Sequence, residues 1–265
     1  LKGTHFLADD KLIAGNVYYR MSNARSFNSN AEAIDEAANV LSSTNQDGYG
    51  GSLQFSLLKD LMGHHNNFTV GASADWSRVS FNQDGYEAEL QGYETVTVDP
   101  LHMLSNVRLK TRSDNYGVYA TDNFAFNDQL NMTLSGRYNV AKVRLAGNSF
   151  DEGLDPQDYP LNGNHEYKRF NPAIGFNYNP SKSLGFYGGY NEGMRAPTPI
   201  ELSCADPDRP CSLPAGFNSD PELKKVVAKT WEGGMRGKLT DDVSWNVGVY
   251  NTRTDNDIQF IASSS

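Results

Sequence analysis

Apolar and polar residues alternate along several stretches of this chain. In residues 130–140 the even positions are apolar or glycine and the odd positions are polar, and residues 67–76 and 243–249 alternate in the same way. Successive side chains of a β-strand point to opposite faces, so each stretch predicts a strand with one apolar and one polar face. No long helix is predicted. The nearest candidate, EAIDEAANVL at 32–41, is short and is expected to lie in a loop.

The same pattern extends to ten predicted strands. We place them at about 1–7, 12–22, 49–59, 67–80, 114–125, 130–146, 168–178, 184–193, 226–238 and 243–254. Several are longer than the ~5–6 residues usual in globular proteins. They match the ~9–11 residues that a tilted strand needs to cross a bilayer.

The predicted connections alternate in length. Short turns fall at 8–11, 60–66, 126–129, 179–183 and 240–242, and long polar loops fall at 23–48, 81–113, 147–167 and 194–225. Outer-membrane barrels have short periplasmic turns and longer extracellular loops, whereas a soluble sandwich, the alternative fold, imposes no such parity. The sequence therefore predicts an all-β, antiparallel transmembrane β-barrel whose apolar face meets lipid and whose polar face lines the lumen.

Aromatic residues near the predicted strand ends agree with either fold. They would form interfacial girdles in a membrane barrel or ordinary cross-strand pairs in a soluble sheet. These residues are Tyr18, Tyr19, Trp76, Tyr178, Tyr190 and Trp231.

Composition and charge limit the other classes. Hydrophobic residues make up 38% of the chain, and no run approaches the ~20 apolar residues of a spanning helix. The 24 glycines, 14 tyrosines and 13 phenylalanines are typical of a β-rich chain rather than a disordered one. A formal net charge of −9 argues against nucleic acid as a partner, because binding to phosphates requires clustered Lys and Arg.

The ten strands are expected to form an open arc. Ten could close a small barrel, but the predicted loops are long for one, and the sequence continues after the tenth strand with DNDIQFIAS. We therefore interpret the chain as part of a larger barrel.

Several segments resemble TonB-dependent outer-membrane receptors. NEGMRAPTPIEL at 191–202 and SDPELKKVVAKTWEGGMRG at 219–237 are similar to two consecutive signature stretches of that family. YGVYATDNFAFNDQLNMTLSGRYN at 116–139, TNQDGYGGSLQF at 44–55 and FTVGASADWSRVSF at 68–81 resemble further segments. The motif residues are Gly136-Arg137, Arg195-Ala196-Pro197, Pro221-Glu222 and Glu232-Gly233-Gly234.

The resemblance implies a barrel of about 22 strands, of which this chain would supply somewhat under half. No segment resembles the family's plug domain, its TonB box or its closing strand. We therefore expect residues 1–265 to be part of the β-barrel domain, with the plug and the closing strands outside this chain.

The resemblance also implies a function. Receptors of this family take up scarce nutrients with energy passed through the periplasmic TonB protein to the plug, and a ferric siderophore or similar chelate is the expected cargo. The implied location is the outer membrane of a Gram-negative bacterium, in contact with lipid and lipopolysaccharide. No enzyme activity, cofactor or nucleic-acid partner is expected.

Strand alternation and the family motifs select the candidate site residues. Arg137, Glu232 and Arg236 are predicted to face the lumen. Arg195 is expected on the lumen side as well, where a bond to a carboxylate of the plug or of a neighbouring strand is favoured over contact with the ligand. Pro197, Pro221 and Glu222 belong to the family-like motifs. Ligand contacts are assigned only to the four long loops at 23–48, 81–113, 147–167 and 194–225.

Cys204 and Cys211 are the only cysteines. Because an outer-membrane protein folds through an oxidising periplasm, we expect them to form a disulfide. A metal site would need two further soft ligands. The cross-link would order the proline-rich loop for ligand binding or, alternatively, protect it from external proteases.

Other chemistry finds little support in the sequence. His64 and His65 are adjacent, so their side chains point apart, and no third metal ligand lies near. No zinc-protease, P-loop, nucleophile-elbow or dinucleotide motif occurs. Two alternatives to the receptor remain: a passive porin, which would lack the Arg-Ala-Pro and Pro-Glu motifs, and an outer-membrane enzyme, which would need catalytic residues at the rim.

Overall fold

A computed structural model describes residues 1–33, 36–153, 157–203, 223–240 and 242–258. Ten antiparallel strands form one open sheet, and each lies beside the strand that precedes it along this path. They are β1 (Lys2–Ala8), β2 (Lys11–Ala33), β3 (Glu36–Leu58), β4 (Asn66–Gln91), β6 (Ser105–Ala125), β7 (Leu130–Asp151), β9 (Gly163–Ser181), β10 (Leu184–Arg195), β11 (Val226–Lys238) and β12 (Ser244–Asp255).

Three short elements complete the described structure. Strand β5 (Glu94–Thr97) pairs with β4, and strand β8 (Asp158–Pro160) pairs with β7. Helix α1 (Pro199–Ser203) follows β10. Within the described residues no helix is long and apolar enough to cross a membrane.

The strands extend well into three of the predicted loops. Strands β2 and β3 pair from Lys11↔Leu57 as far as Ala33↔Glu36, so the predicted loop at 23–48 is mostly sheet and the described part of 32–41 is strand. Strands β4 and β6 likewise enter the predicted loop at 81–113, and β7 and β9 enter the one at 147–167. These loop assignments were wrong because the backbone pairing continues beyond the strand centres, into stretches where apolar side chains are sparse or, as at Leu109, lie on the opposite face.

Successive connections lie at opposite ends of the sheet, and three of the four connections at one end are long. At one end the connections span 9–10, 59–65, 126–129, 182–183 and 239–243, and at the other they span 34–35, 92–104, 152–162 and 196–225. In the 59–65 turn, Met62 and Gly63 both take positive φ values of 54° and 80°. Glycine adopts that conformation at no steric cost. The alternation of connection lengths predicted from the sequence is confirmed except between β2 and β3, where the connection spans only 34–35 instead of the predicted 23–48.

The two faces of the sheet differ in chemistry. On the face that we call the apolar face, Val17, Leu53, Val118, Leu134 and Val247 are between 53% and 61% exposed. Water-soluble domains rarely expose so broad an apolar surface. The other face, the polar face, carries mainly hydroxyl, amide and charged side chains.

An aromatic row ends the band of apolar side chains on the apolar face. Tyr49 stacks on Trp76, with ring centroids 5.3 Å apart, and Trp76 Nε1 donates to the Tyr116 hydroxyl at 3.1 Å. On β4 the apolar positions run from Phe68 to Trp76, and the next position on that face is Arg78. This length agrees with the ~9–11 residues of a membrane-crossing strand.

Tyr18 does not belong to the aromatic row. Its hydroxyl donates to Asp75 Oδ1 at 2.5 Å, and the pairing register places both residues on the polar face. The neighbouring Tyr19 occupies the apolar face, because adjacent residues of a strand point to opposite sides.

The buried apolar cluster lies on the polar face towards the long connections. Its centre consists of Leu109, Val143 and Leu145 on β6 and β7. Phe81, Val107, Leu161 and Leu202 pack around it. The presence of Leu202 shows that α1 folds back against the polar face of these strands.

Candidate functional site on the polar face

Arg137 on β7 occupies the centre of the polar face. Its Nη2 donates to the Ser73 hydroxyl at 2.7 Å, and its Nε donates to Asn139 Oδ1 at 2.7 Å. To reach Ser73 on β4, the guanidinium crosses β6 at Gly117. A Cβ atom at position 117 would overlap the Arg137 guanidinium. Glycine at 117 therefore permits this contact.

A polar cavity of about 480 Å³ adjoins Arg137. Asp75, Asn115, Asn171 and Glu192 are among its lining residues. Asn171 is 8% exposed, and its Oδ1 has no hydrogen-bond partner among the described residues. A buried acceptor without a partner costs ~1–3 kcal/mol. The cavity is therefore suited to a group that donates hydrogen bonds.

Glu232 and Arg236 border a second cavity, of about 400 Å³. Arg236 Nη2 lies 3.5 Å from Asn177 Oδ1, while the Glu232 carboxylate has no hydrogen bond or ion pair within the described part of the chain. Glu232 pairs with Gly189, and the pairing continues through β9 to the face of β7 that carries Arg137. This cavity therefore lies on the polar face. The structure therefore places these three residues on one face but in two separate cavities, and the lumen assignment of that face stays a prediction.

Arg195, at the end of β10, forms an ion pair with the segment that follows the strand. Its Nη1 donates to both carboxylate oxygens of Glu201, at 3.1 and 2.8 Å. Glu201 Oε2 accepts from the Thr198 backbone amide at 2.6 Å, and the Glu201 amide lies 3.3 Å from Thr198 Oγ1. This is a reciprocal capping box with Pro199 at the first helical position. Among the described residues the carboxylate partner of Arg195 is thus in its own loop rather than on a neighbouring strand, and a contact with the plug stays a prediction.

Glu201 is ionised at neutral pH in this arrangement. Burial raises the pKa of Glu201, but hydrogen bonds from Arg195 and Thr198 outweigh that effect and hold the pKa below its ordinary value. The neighbouring Pro197 is fully buried. Together with the packing of Leu202 on the buried apolar cluster, these contacts hold residues 197–203 against the polar face of the sheet.

Four of the predicted site residues lie outside the described residues. These are Cys204, Cys211, Pro221 and Glu222, so the disulfide and the role of the Pro-Glu motif stay predictions. No group of three or more potential metal ligands occurs in the described part of the chain. His65 Nδ1 lies 2.8 Å from Asp60 Oδ1 in the 59–65 turn.

Sequence reasoning missed three residues of this site. Ser73 and Tyr119 contact Arg137 because the pairing of β4, β6 and β7 brings them together. The alternation of polar and apolar residues does not predict how strands align. Glu201 had a readable signal, because Thr198-Pro-Ile-Glu201 matches the capping-box pattern with proline at the first helical position.

Comparisons with known proteins agree with this architecture. A family model described as TonB dependent receptor-like, beta-barrel matches residues 2–265. No curated protein sequence matches the chain.

Several solved structures share the fold. The ferric yersiniabactin uptake receptor FyuA from Yersinia pestis is similar with a TM-score of 0.67 and 14% identity, over 96% of this chain and 34% of that chain. The ferripyoverdine receptor of Pseudomonas aeruginosa has a TM-score of 0.67 and 15% identity, over 97% and 32%. The siderophore receptor PiuA from Acinetobacter baumannii has a TM-score of 0.63 and 13% identity, over 94% and 38%. The chain therefore spans about a third of the length of these proteins.

Proposed function

The chain belongs to the TonB-dependent receptor β-barrel family, and we propose that it forms an arc of an outer-membrane receptor that actively imports a scarce nutrient. The nutrient class is a ferric siderophore or a similar chelate. The location is the outer membrane of a Gram-negative bacterium, and the barrel itself performs no covalent chemistry.

The two-faced sheet is the observation that carries this proposal. Its apolar face is open to the surroundings over a band as long as a bilayer crossing and ends at the aromatic row. In this orientation the apolar face meets lipid and the polar face lines the lumen. The long connections then face the exterior, and the short connections face the periplasm.

The polar face carries hydrogen-bonding groups that are available to a plug domain or to cargo. Asn171 Oδ1 and the Glu232 carboxylate have no partner among the described residues, and each borders a cavity. A plug bonded to such groups would transmit the pull of TonB from the periplasm. We infer that the plug is the physical partner of this face.

The names of the similar solved structures support the proposed cargo class. The printed names of the similar structures refer to ferric yersiniabactin, ferripyoverdine and siderophores. A chelate arriving from outside would meet the connections 92–104, 152–162 and 196–225, together with the polar outer parts of the strands. Arg195 and Glu201 form a structural pair at the start of the last of these connections, within residues 195–203.

Uptake measurements in the host bacterium test the proposal with the full-length receptor. Iron-starved cells would be given radioactive iron as catecholate, hydroxamate and citrate chelates, in wild type, a receptor deletion and a TonB deletion. We expect accumulation of at least one chelate to be lost in both deletions. Uptake that depends on the receptor but persists without TonB would indicate a passive porin and would overturn the proposal.

A further inference from the structure

Arg137 and Asp75 carry opposite charges at the same polar cavity, yet they do not form an ion pair with each other. Arg137 donates to two neutral side chains, Ser73 and Asn139. Asp75 Oδ1 accepts from the Tyr18 hydroxyl at 2.5 Å. Neither charge has an ionic partner among the residues that the structure describes. The cavity therefore offers one cation and one anion to a ligand.

The separation of these two charges matches a small zwitterion. Arg137 Nη2 lies 2.7 Å from the Ser73 hydroxyl. Ser73 precedes Asp75 by two residues on β4, which is about 7 Å for a strand that rises ~3.4 Å per residue. In an α-amino acid a single carbon atom separates the ammonium from the carboxylate. With a charge-assisted hydrogen bond of ~2.8 Å at each end, such a group can reach from the guanidinium to the Asp75 carboxylate.

The balance of charge at the cavity disfavours a purely anionic ligand. Glu192 also borders the cavity, but it forms an ion pair with Arg169. An anionic group without an ammonium would satisfy Arg137 and place its charge close to Asp75, where like charges repel. An amino-acid group satisfies both, and charge-assisted hydrogen bonds are about twice as strong as neutral ones.

The cavity is larger than a free amino acid. From Asp75 on β4 to Asn171 on β9 it crosses three strand spacings, which is about 14 Å at ~4.8 Å each. Asn171 is 8% exposed, and its Oδ1 has no hydrogen-bond partner in the described part of the chain. A molecule that fills this width needs a further N–H or O–H group for that oxygen. The amino-acid group is therefore part of a larger ligand.

The cavity lies near the end of the sheet that carries the long connections. Tyr116, a member of the aromatic row, borders it, and so do Met194 and Ala196, where β10 leads into the connection at 196–225. With the long connections outside the cell, a chelate that enters from the exterior reaches this level before it passes along the rest of the polar face.

We propose that this cavity binds a free amino-acid group of the imported chelate, with the carboxylate on Arg137, the ammonium on Asp75 and a donor from the rest of the chelate on Asn171. The inference rests on the proposed function, because it requires the polar face to line the import route. It narrows the cargo to chelates that carry an unblocked amine and an unblocked carboxylate on the same carbon.

The test uses the full-length receptor in detergent and four ferric trihydroxamate complexes that share one iron centre. The parent complex carries a terminal α-amino acid group. In the second complex the amine is acetylated, in the third the carboxylate is a methyl ester, and in the fourth both groups are blocked. Equilibrium dissociation constants are measured for each by quenching of the intrinsic protein fluorescence.

For the wild type we expect each single block to weaken binding about tenfold, the change that corresponds to one charge-assisted hydrogen bond. Arg137→Gln should weaken the parent and the acetylated complex about tenfold, and it should leave the ester unchanged, because the ester has no carboxylate. Asp75→Asn should weaken the parent and the ester, and it should leave the acetylated complex unchanged.

Asp47→Asn is the matched control. Asp47 accepts from the Tyr19 hydroxyl at 2.8 Å, as Asp75 does from Tyr18, but it lies on the apolar face. Its dissociation constants should stay within about twofold of wild type. Heat-modifiable migration on gels checks that each variant is folded. If Arg137→Gln does not assemble, Asn171→Leu serves instead and should weaken all four complexes severalfold.

Three results would overturn the inference. They are absence of binding by the parent complex, equal affinities of the wild type for all four complexes, and equal losses for all four complexes in Arg137→Gln. Tightest binding of the doubly blocked complex would likewise replace the amino-acid group by a neutral amide. TonB-dependent uptake of the chelate panel is measured separately. Failure of the amino-acid preference leaves that uptake intact, whereas failure of the proposed function removes its TonB dependence.

Discussion

The guanidinium carbon of Arg137 lies 5.5 Å from the centroid of the Tyr119 ring, in a cation–π contact between β7 and β6. Tyr119 reaches across β4, and its hydroxyl donates to Gln54 Oε1 on β3 at 2.9 Å. Arg137 in turn reaches across β6 to Ser73 on β4. The two side chains therefore link four consecutive strands on the polar face, in addition to the backbone pairing.

Both crossings depend on glycine. Gly71 lies beneath the Tyr119 ring and Gly117 beneath the Arg137 guanidinium, and a Cβ atom at either position would overlap the side chain above it. We expect Gly71→Ala and Gly117→Ala in the full-length receptor each to lower the free energy of unfolding by ~1–3 kcal/mol, through displacement of that side chain. Urea unfolding in lipid measures the effect.

Gly193→Ala provides the matched control for these two variants. Nothing lies within 4 Å of a Cβ atom at position 193, so this change should leave the unfolding midpoint nearly unaltered. Equal midpoints for all three alanine variants would show that the Arg137 and Tyr119 contacts do not stabilise the barrel.

The assignment of the two faces predicts opposite labelling of two positions. In a cysteine-free full-length receptor, Arg236→Cys should react with a charged, water-soluble maleimide, because the polar face lines an aqueous lumen. Val247→Cys, on the apolar face, should react only with a lipid-soluble reagent. Labelling of position 236 by the lipid-soluble reagent alone would reverse the assignment.

A charge on the apolar face tests the same assignment energetically. Val247 is 60% exposed and pairs with Met235. Val247→Arg should destabilise the folded barrel by ~2–4 kcal/mol if the position lies near the bilayer midplane. Asn246→Arg, one residue earlier on the polar face, is the control and should have a much smaller effect. Equal unfolding midpoints for the two variants would contradict the membrane placement.

The part of the fold that the sequence reveals most clearly is the band with one apolar and one polar face. Because the two faces of that band differ in chemistry, the middle of β4 and of β7 is evident from sequence. Beyond that band the apolar face ends, and Ser26 on β2 can face Ser42 on β3 with their hydroxyl groups 2.7 Å apart. Such stretches resemble loops in sequence although the backbone is fully paired.

Site residues were predictable only as far as local sequence determines them. Alternation placed Arg137 and Glu232 on one face, but their partners depend on how strands distant in sequence align. The partner of Arg195 was predictable in principle, because the capping box that fixes Glu201 is encoded within residues 198–201. The carboxylate partner of Arg195 was instead expected on the plug or on a neighbouring strand.

The Arg195–Glu201 pair predicts a pH-dependent loop. The pKa of Glu201 is lower in the folded loop than in the unfolded chain, so its ionised form stabilises the folded loop. This stabilisation is complete above the ordinary pKa of glutamate and is lost as the pH falls through the lowered pKa. Hydrogen exchange at the Leu202 amide, which donates to the Thr198 carbonyl at 3.0 Å, reports on it.

We expect the protection factor of that amide, corrected for intrinsic exchange, to decrease in acid for the wild-type receptor. Glu201→Gln should give low protection that no longer changes with pH in this range. Glu152→Gln, at a carboxylate in a different connection, is the control and should keep the wild-type profile. A pH dependence that survives in Glu201→Gln would assign the titration to another group.

The predicted disulfide between Cys204 and Cys211 should act on ligand binding rather than on barrel assembly. It would close a loop of only eight residues, which constrains little of the unfolded chain compared with the long paired strands. Cys204→Ser/Cys211→Ser in the full-length receptor should therefore retain heat-modifiable migration and take up the cognate chelate modestly more slowly, by a few-fold. Thiol titration of the exported wild-type protein should find no free cysteine. Two free thiols would remove the cross-link, and loss of assembly in the double variant would make the cysteines essential to the fold.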